Sequence, residues 1–230
     1  PKPVYLMEKI LQIATWSDSI VLDFFAGSGS MAHAVLDQNC RDGGRRRFIM
    51  VQLPEACDPD SEPAKAGFAT IAEVAKERVR RIGQSIRESE SARTLDVGFR
   101  VLKVDSTNME DVLQVPDLTD QTRLVGLEES VKSDRSGEDL LFQVLVDWGL
   151  ELSLPISVEK FAKHETFVVD EGALIACFER AVTLEVVRSV SQRQPLRAVF
   201  RDSAFSSDAE RINAEQIFRE TSPSTDVKTI

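Results

Sequence analysis

The chain has 230 residues, 42% apolar and 29% charged, a globular composition at the length of one large domain or two small ones. Lys and Arg number 28 against 38 Asp and Glu, for a net charge of −10 and a pI near 4.9, which excludes a surface living by phosphate contacts alone. No apolar run reaches the ~20 residues of a membrane-spanning helix, and Cys40, Cys57 and Cys177 lie far apart with only His33 and His164 beside them, excluding a disulfide framework or a zinc site.

The opening stretch, Lys2 to Ala14, reads as a helix: Pro3 suits its first position, and Met7, Ile10, Leu11 and Ala14 recur at three-and-four spacing. Ser19 to Phe25 is a short apolar run broken by glycines, the pattern of a buried strand leaving a sheet. Ser30 to Asn39 follows as a helix, then Arg47 to Val51 as a second strand. A loop with Pro54, Pro59 and Pro63 leads to a long helix over Phe68 to Glu88, and residues 98–105 read as a third strand. Alternation of strand and helix predicts a parallel, doubly wound α/β sheet.

The composition turns polar and acidic from Asp105, predicting an irregular connector over 105–136. Order resumes with a helix through Asp139 to Leu152. Two strands are expected around the turn Glu171-Gly172, then a helix from Thr183, a strand from Leu196, a helix from Asp208 and a closing edge strand, Val227 to Ile230. The expected organisation is an α/β unit over 1–104, the connector, and a smaller α/β unit over 137–230.

The informative segment is Asp23-Phe24-Phe25-Ala26-Gly27-Ser28-Gly29-Ser30, where a strand delivers an acid and glycines open a helix. Glycines let a ligand approach the backbone, and free N–H groups at a helix start favour an anion. Gly27-x-Gly29-x-x-Ala32 formally fits a dinucleotide loop, so a nicotinamide-dependent oxidoreductase is a competing reading. Asp23 just ahead of the loop speaks against a pyrophosphate there. It suits a ligand with an amino group and a positive sulfur, and S-adenosylmethionine has both. No Gly-Lys-Ser/Thr run follows, which excludes a P-loop, and a nucleophile elbow is absent.

The run Asp23 to Ser30 resembles the cofactor motif D-x-F-x-G-S-G-[TS] of amino-methylating DNA methyltransferases, in the class whose catalytic motif precedes the cofactor motif. Lys2-Pro3 opening a helix, Phe48 to Glu55, and Lys76-Glu77-Arg78-Val79 fit that class. The stretches Gly172 to Phe178, Val199 to Phe205, Ile212 to Phe218 and Val227 to Ile230 resemble the tail of the modification subunit of type III restriction-modification systems.

The resemblance implies an adenine-N6 methyltransferase with a Rossmann-like sheet that takes S-adenosylmethionine. It sets Gly27, Ser28, Gly29 and Ser30 around the cofactor's methionine part, Asp23 near its amino group, Phe25 beside it and Lys2 facing its carboxylate. The ribose acceptor is open between Gln52, at the strand end, and Glu55. The family's Asp/Asn-Pro-Pro-aromatic motif is missing; the nearest string is Cys57-Asp58-Pro59-Asp60, so no catalytic residue is expected in this chain. With Pro1 rather than Met at the start, the expectation is a C-terminal piece of a longer protein that meets double-stranded DNA mainly through upstream segments. The family further implies a cytoplasmic homodimer working with a restriction subunit, and the 137–230 unit reads as a module for dimerisation or for docking that subunit.

The other conspicuous residues have plainer readings. His33 is expected at the surface or in packing, His164 at the surface, Arg45-Arg46-Arg47 as a solvated cluster, and Cys177 as a small core residue. Trp16 and Trp148 are expected as packing anchors.

Overall fold

The computed structural model describes residues 2–89, 95–110 and 131–230, and the chain falls into two units, Pro1–Val101 and Leu102–Ile230. In the first, helix α1 (Val4–Ala14) starts after Pro3, whose carbonyl accepts the N–H groups of Leu6 and Met7. Strand β1 (Ile20–Asp23) runs parallel to β2 (Arg47–Met50), with Val21 beside Phe48 and Asp23 beside Met50. Parallel neighbours require a crossover, and α2 (Ser30–Asp42) supplies it. This helix outruns its expected length because no breaker stands before Gly43, where φ is +68° and the N–H returns to the Asn39 carbonyl. The Pro-containing loop holds a short helix, α3 (Glu62–Lys65), and then α4 (Ile71–Glu88) starts on a capping box in which Thr70 and Glu73 serve each other's backbone.

Helix α1 packs on α2, and α2 on α4. Met7 and Leu11 meet Val21, Ala34 and Val35, while Ala32 and Leu36 meet Val79, Ile86 and Val97. The strands present Val21 to this core and leave Ile20, Leu22, Ile49 and Val51 exposed.

The expected third strand over 98–105 does not form. Val97 lies against α4 at Gly83, where a Cβ would stand 3.3 Å from the Val97 carbonyl oxygen, and Phe99 receives the Arg80 guanidinium over its ring. Val97, just ahead of the stretch, and Phe99 pack beside α4, whereas Val101, Leu102 and Val104 are exposed, and without a partner edge the stretch makes no ladder. Of the expected connector, 111–130 lies outside the described residues.

In the second unit, α5 (Gly137–Asp147) begins on a capping box of Ser136 and Asp139. A five-stranded sheet follows in the order β3 (Ile156–Phe161), β4 (His164–Val169), β5 (Leu174–Cys177), β6 (Arg197–Phe200), β7 (Asp226–Thr229). The first three strands are antiparallel; β5, β6 and β7 are parallel, joined through α6 (Leu184–Gln192) and α7 (Asp208–Thr221). Period-two alternation gives the sheet two buried faces. Ile175, Cys177, Ala198 and Phe200 face α6 and α7, whereas Leu174, Ala176 and Val199 face Leu140, Leu141, Val144 and Leu145 of α5.

Strand β3 was not expected, and its turn explains why. Ala162 and Lys163 both take positive φ, +46° and +77°, the geometry Asn-Gly ordinarily announces.

Three plain readings need correction. Trp16 is 82% exposed and anchors nothing in this unit. Arg46 is buried, not solvated: it bonds Thr15 Oγ1 and Asn39 Oδ1 and pairs with Asp42 at 3.0 Å. His164 is half-buried, with Nδ1 2.7 Å from Glu179 Oε2. Trp148 does pack, with Arg197 and Lys228 each 4.9 Å from its ring centroid. Cys177 is fully buried, and burial pushes its thiol up from the ordinary range. Among the described residues no helix is long and apolar enough to cross a membrane, and no group of three or more His, Cys, Asp or Glu could hold a metal ion.

Candidate functional site at the β1–α2 loop

Strand β1 ends at Asp23, and the next turn is built from its own backbone. Phe25 N–H donates to Asp23 Oδ1 at 3.0 Å, Ala26 N–H to the Val51 carbonyl at 3.1 Å, and Gly29 N–H to the Ala26 carbonyl at 2.9 Å. Gly27 N–H donates to Gln52 Oε1 at 2.7 Å, so the end of β2 closes the loop. Gly27 and Gly29 lie at φ +52° and +75°, where an L side chain is strained. Their surroundings differ. A Cβ on Gly29 would stand 3.3 Å from Ala75 Cα, Cβ and O, so α4 is seated on the loop there, whereas a Cβ on Gly27 would meet only the Phe25 carbonyl oxygen at 4.0 Å.

With those N–H groups satisfied internally, the polar demand concentrates at the start of α2. Its N-cap, Gly29, offers no side-chain cap, and the first turn carries no acid. A helix start of this kind has unmet N–H donors and a positive end. Ser30, 4% exposed, points no hydroxyl at any partner: its Oγ is buried and unbonded. At Ser28, Arg78 Nη2 of α4 donates to the hydroxyl at 3.4 Å. The arrangement suits an anionic group carried on a ligand that passes over the open side of Gly27.

Asp23, Phe25, Gly27, Ser28, Gly29 and Ser30 therefore lie on one turn of chain from β1 to α2, and Gln52, after β2, is bonded to it. Phe25 is 75% exposed, its ring 5.1 Å from that of Phe24. Gln52 spends its amide on Gly27 N–H and the Leu53 carbonyl. Glu55 is exposed, and its backbone carbonyl accepts the Ile71 N–H at the head of α4. Lys2 is exposed ahead of α1. Among the described residues no hydrogen bond joins the side chains of Lys2 or Glu55 to the loop. The contact of Arg78 with Ser28 carries no signal in the sequence beyond the three-residue spacing that puts Ala75 and Arg78 on one helical face.

Residues 1–58, which contain the loop, match the family model of the DNA methylases of the N6 and N4 type. The chain is 44% identical over 100 residues to the Mod subunit of the type III restriction-modification enzyme StyLTI of Salmonella typhimurium, covering 44% of this chain and 15% of that protein. It is 39% identical over 103 residues to the EcoPI Mod subunit of Escherichia phage P1, covering 44% and 16%. Identity to the EcoP15I Mod subunit of Escherichia coli is also 39% over 103 residues, covering 45% and 15%. The match thus spans about 15% of the length of these curated relatives. The amino-terminal part of the chain, glycine loop included, matches the DNA methylase family model, and the chain is similar over some 100 residues to the Mod subunits of type III restriction-modification enzymes.

Proposed function

We propose that the first unit holds S-adenosylmethionine for a methyltransferase acting on adenine N6 in double-stranded DNA, as part of a type III modification subunit. The observation that carries this is the uncapped start of α2 under an open glycine loop, with Ser30 Oγ buried and unbonded. The cofactor's carboxylate meets that helix start, and Asp23 takes its amino group. Phe25 lies beside it, and Lys2 adds a cation toward the carboxylate. The bond from Gly27 to Gln52 supports Glu55 as the ribose acceptor, where charge strengthens the contact. When bound, the cofactor supplies the electrophilic methyl group. The chain has no Asp/Asn-Pro-Pro-aromatic run, so residues outside these 230 polarise the flipped adenine.

The sheet reading follows the same line. A parallel pair with Ile20, Leu22, Ile49 and Val51 bare on one face is unusual as a finished sheet, which supports a larger, doubly wound, Rossmann-like methyltransferase sheet. For the second unit the reading is assembly: a homodimer contact or the dock for a restriction subunit. Its separate two-sided core, outside the residues that match the methylase model, supports this.

Calorimetry with S-adenosylmethionine and NAD tests the cofactor reading. Binding of the first and not the second, abolished in Gly27→Asp, is expected, because a carboxylate at Gly27 fills the approach and repels the ligand's own. Equal binding by both proteins overturns it, and DNA methylation by this chain alone overturns the placing of the catalytic step outside these residues. Light scattering and a pull-down with the restriction subunit test the assembly reading; a monomer that ignores that subunit overturns it.

A further inference from the structure

We infer that Arg78 is the side chain that receives the carboxylate of the ligand's amino-acid end, an inference that rests on the S-adenosylmethionine reading and extends it to α4. Gly29 is seated on Ala75, and Arg78 is one helical turn further along the same face. Its guanidinium reaches the loop, with Nη2 3.4 Å from Ser28 Oγ. That contact is long and engages one of five donors.

Among the described residues no carboxylate pairs with Arg78. The contrast with its neighbours is clear. Glu77, beside it, is taken by Arg81 at 2.8 Å and Arg80 at 3.9 Å, while Arg41 and Arg46 are held by Glu8 and Asp42. A half-buried cation and an uncapped helix start are both positive and would ordinarily be kept apart. Here they converge on Ser28 and Gly29, and in the next residue Ser30 Oγ is buried with nothing to bond. The remaining donors of Arg78 and the N–H groups of an uncapped helix start, in one place, call for an anion with two oxygens. The planar fork of arginine matches a carboxylate in that role.

The test is calorimetry on the full chain with S-adenosylmethionine and its decarboxylated analogue, using the unsubstituted protein, Arg78→Gln and Arg78→Lys. Loss of a charged hydrogen bond predicts affinity for S-adenosylmethionine falling about tenfold or more in Arg78→Gln, with less loss in Arg78→Lys. Affinity for the decarboxylated analogue should be the same in all three proteins. Equal losses for both ligands would show Arg78 acting only through Ser28 and overturn the inference, as would no loss at all. If the unsubstituted chain binds neither ligand, the cofactor reading falls first and this inference with it. Thermal melting checks the fold, and should Arg78→Gln unfold, the lysine variant decides by the same difference between ligands.

Discussion

Gln52 Oε1 accepts the Gly27 N–H at 2.7 Å, a bond that ties the end of β2 to the loop after β1 across twenty-five residues of sequence. The bond makes Gln52 part of the loop's frame. Gln52→Leu should cost about 1 kcal/mol, and the melting temperature of a unit this size should drop by roughly 4–8 °C. Gln52→Glu keeps an acceptor and should melt close to the original. Scanning calorimetry of the two variants checks the pair.

The two loop glycines should separate under substitution. Gly29→Ala places a Cβ against Ala75 at 3.3 Å and at φ +75°, so a loss of about 1–3 kcal/mol in stability is expected. Gly27→Ala carries the positive φ but meets open space, so the smaller loss is expected there and the larger effect on cofactor affinity. Denaturant melts beside ligand titration distinguish them. A Gly29→Ala protein as stable as the original would show that α4 is not seated on the loop.

Ser30 offers the opposite signature. Its Oγ is buried without a partner, so Ser30→Ala removes an unsatisfied group and should leave the free chain as stable or more so. Cofactor affinity should fall. Gain in one measurement and loss in the other is the mark of a donor reserved for a ligand.

In the second unit Glu179 couples the sheet to pH. Its carboxylate accepts the Glu165 N–H at 2.6 Å, and that bond chiefly holds it below the ordinary glutamate range, burial opposing and His164 adding to the effect. A carboxyl depressed on folding is more readily deprotonated in the folded state. Its stabilisation is full above the unfolded value, about 4.3, and is lost as pH falls through the depressed folded value. Glu179→Gln retains an acceptor without the charge. Thermal melts from about pH 6 to pH 3 should show the original chain losing its advantage over the variant toward the acid end. Parallel melting curves would leave Glu179 out of the acid response.

Much of this was written locally. The glycines after Asp23 and the three-and-four spacing of Met7 and Leu11 are short-range signals, because each acts within one turn of the chain. The closing edge strand and the burial of Cys177 were legible in the same way, from alternation over a few residues. Tertiary structure decided the rest. Residues 98–105 have strand composition, yet no ladder forms there and Val101, Leu102 and Val104 stay exposed, because composition carries no record of which strand edge is near. Strand β3 hid behind Ala162 and Lys163, ordinary residues holding a turn that glycine usually signals. The role of Gln52 and the nearness of Arg78 to Ser28 join residues 25 and 50 positions apart, and only packing brings such groups within bonding distance.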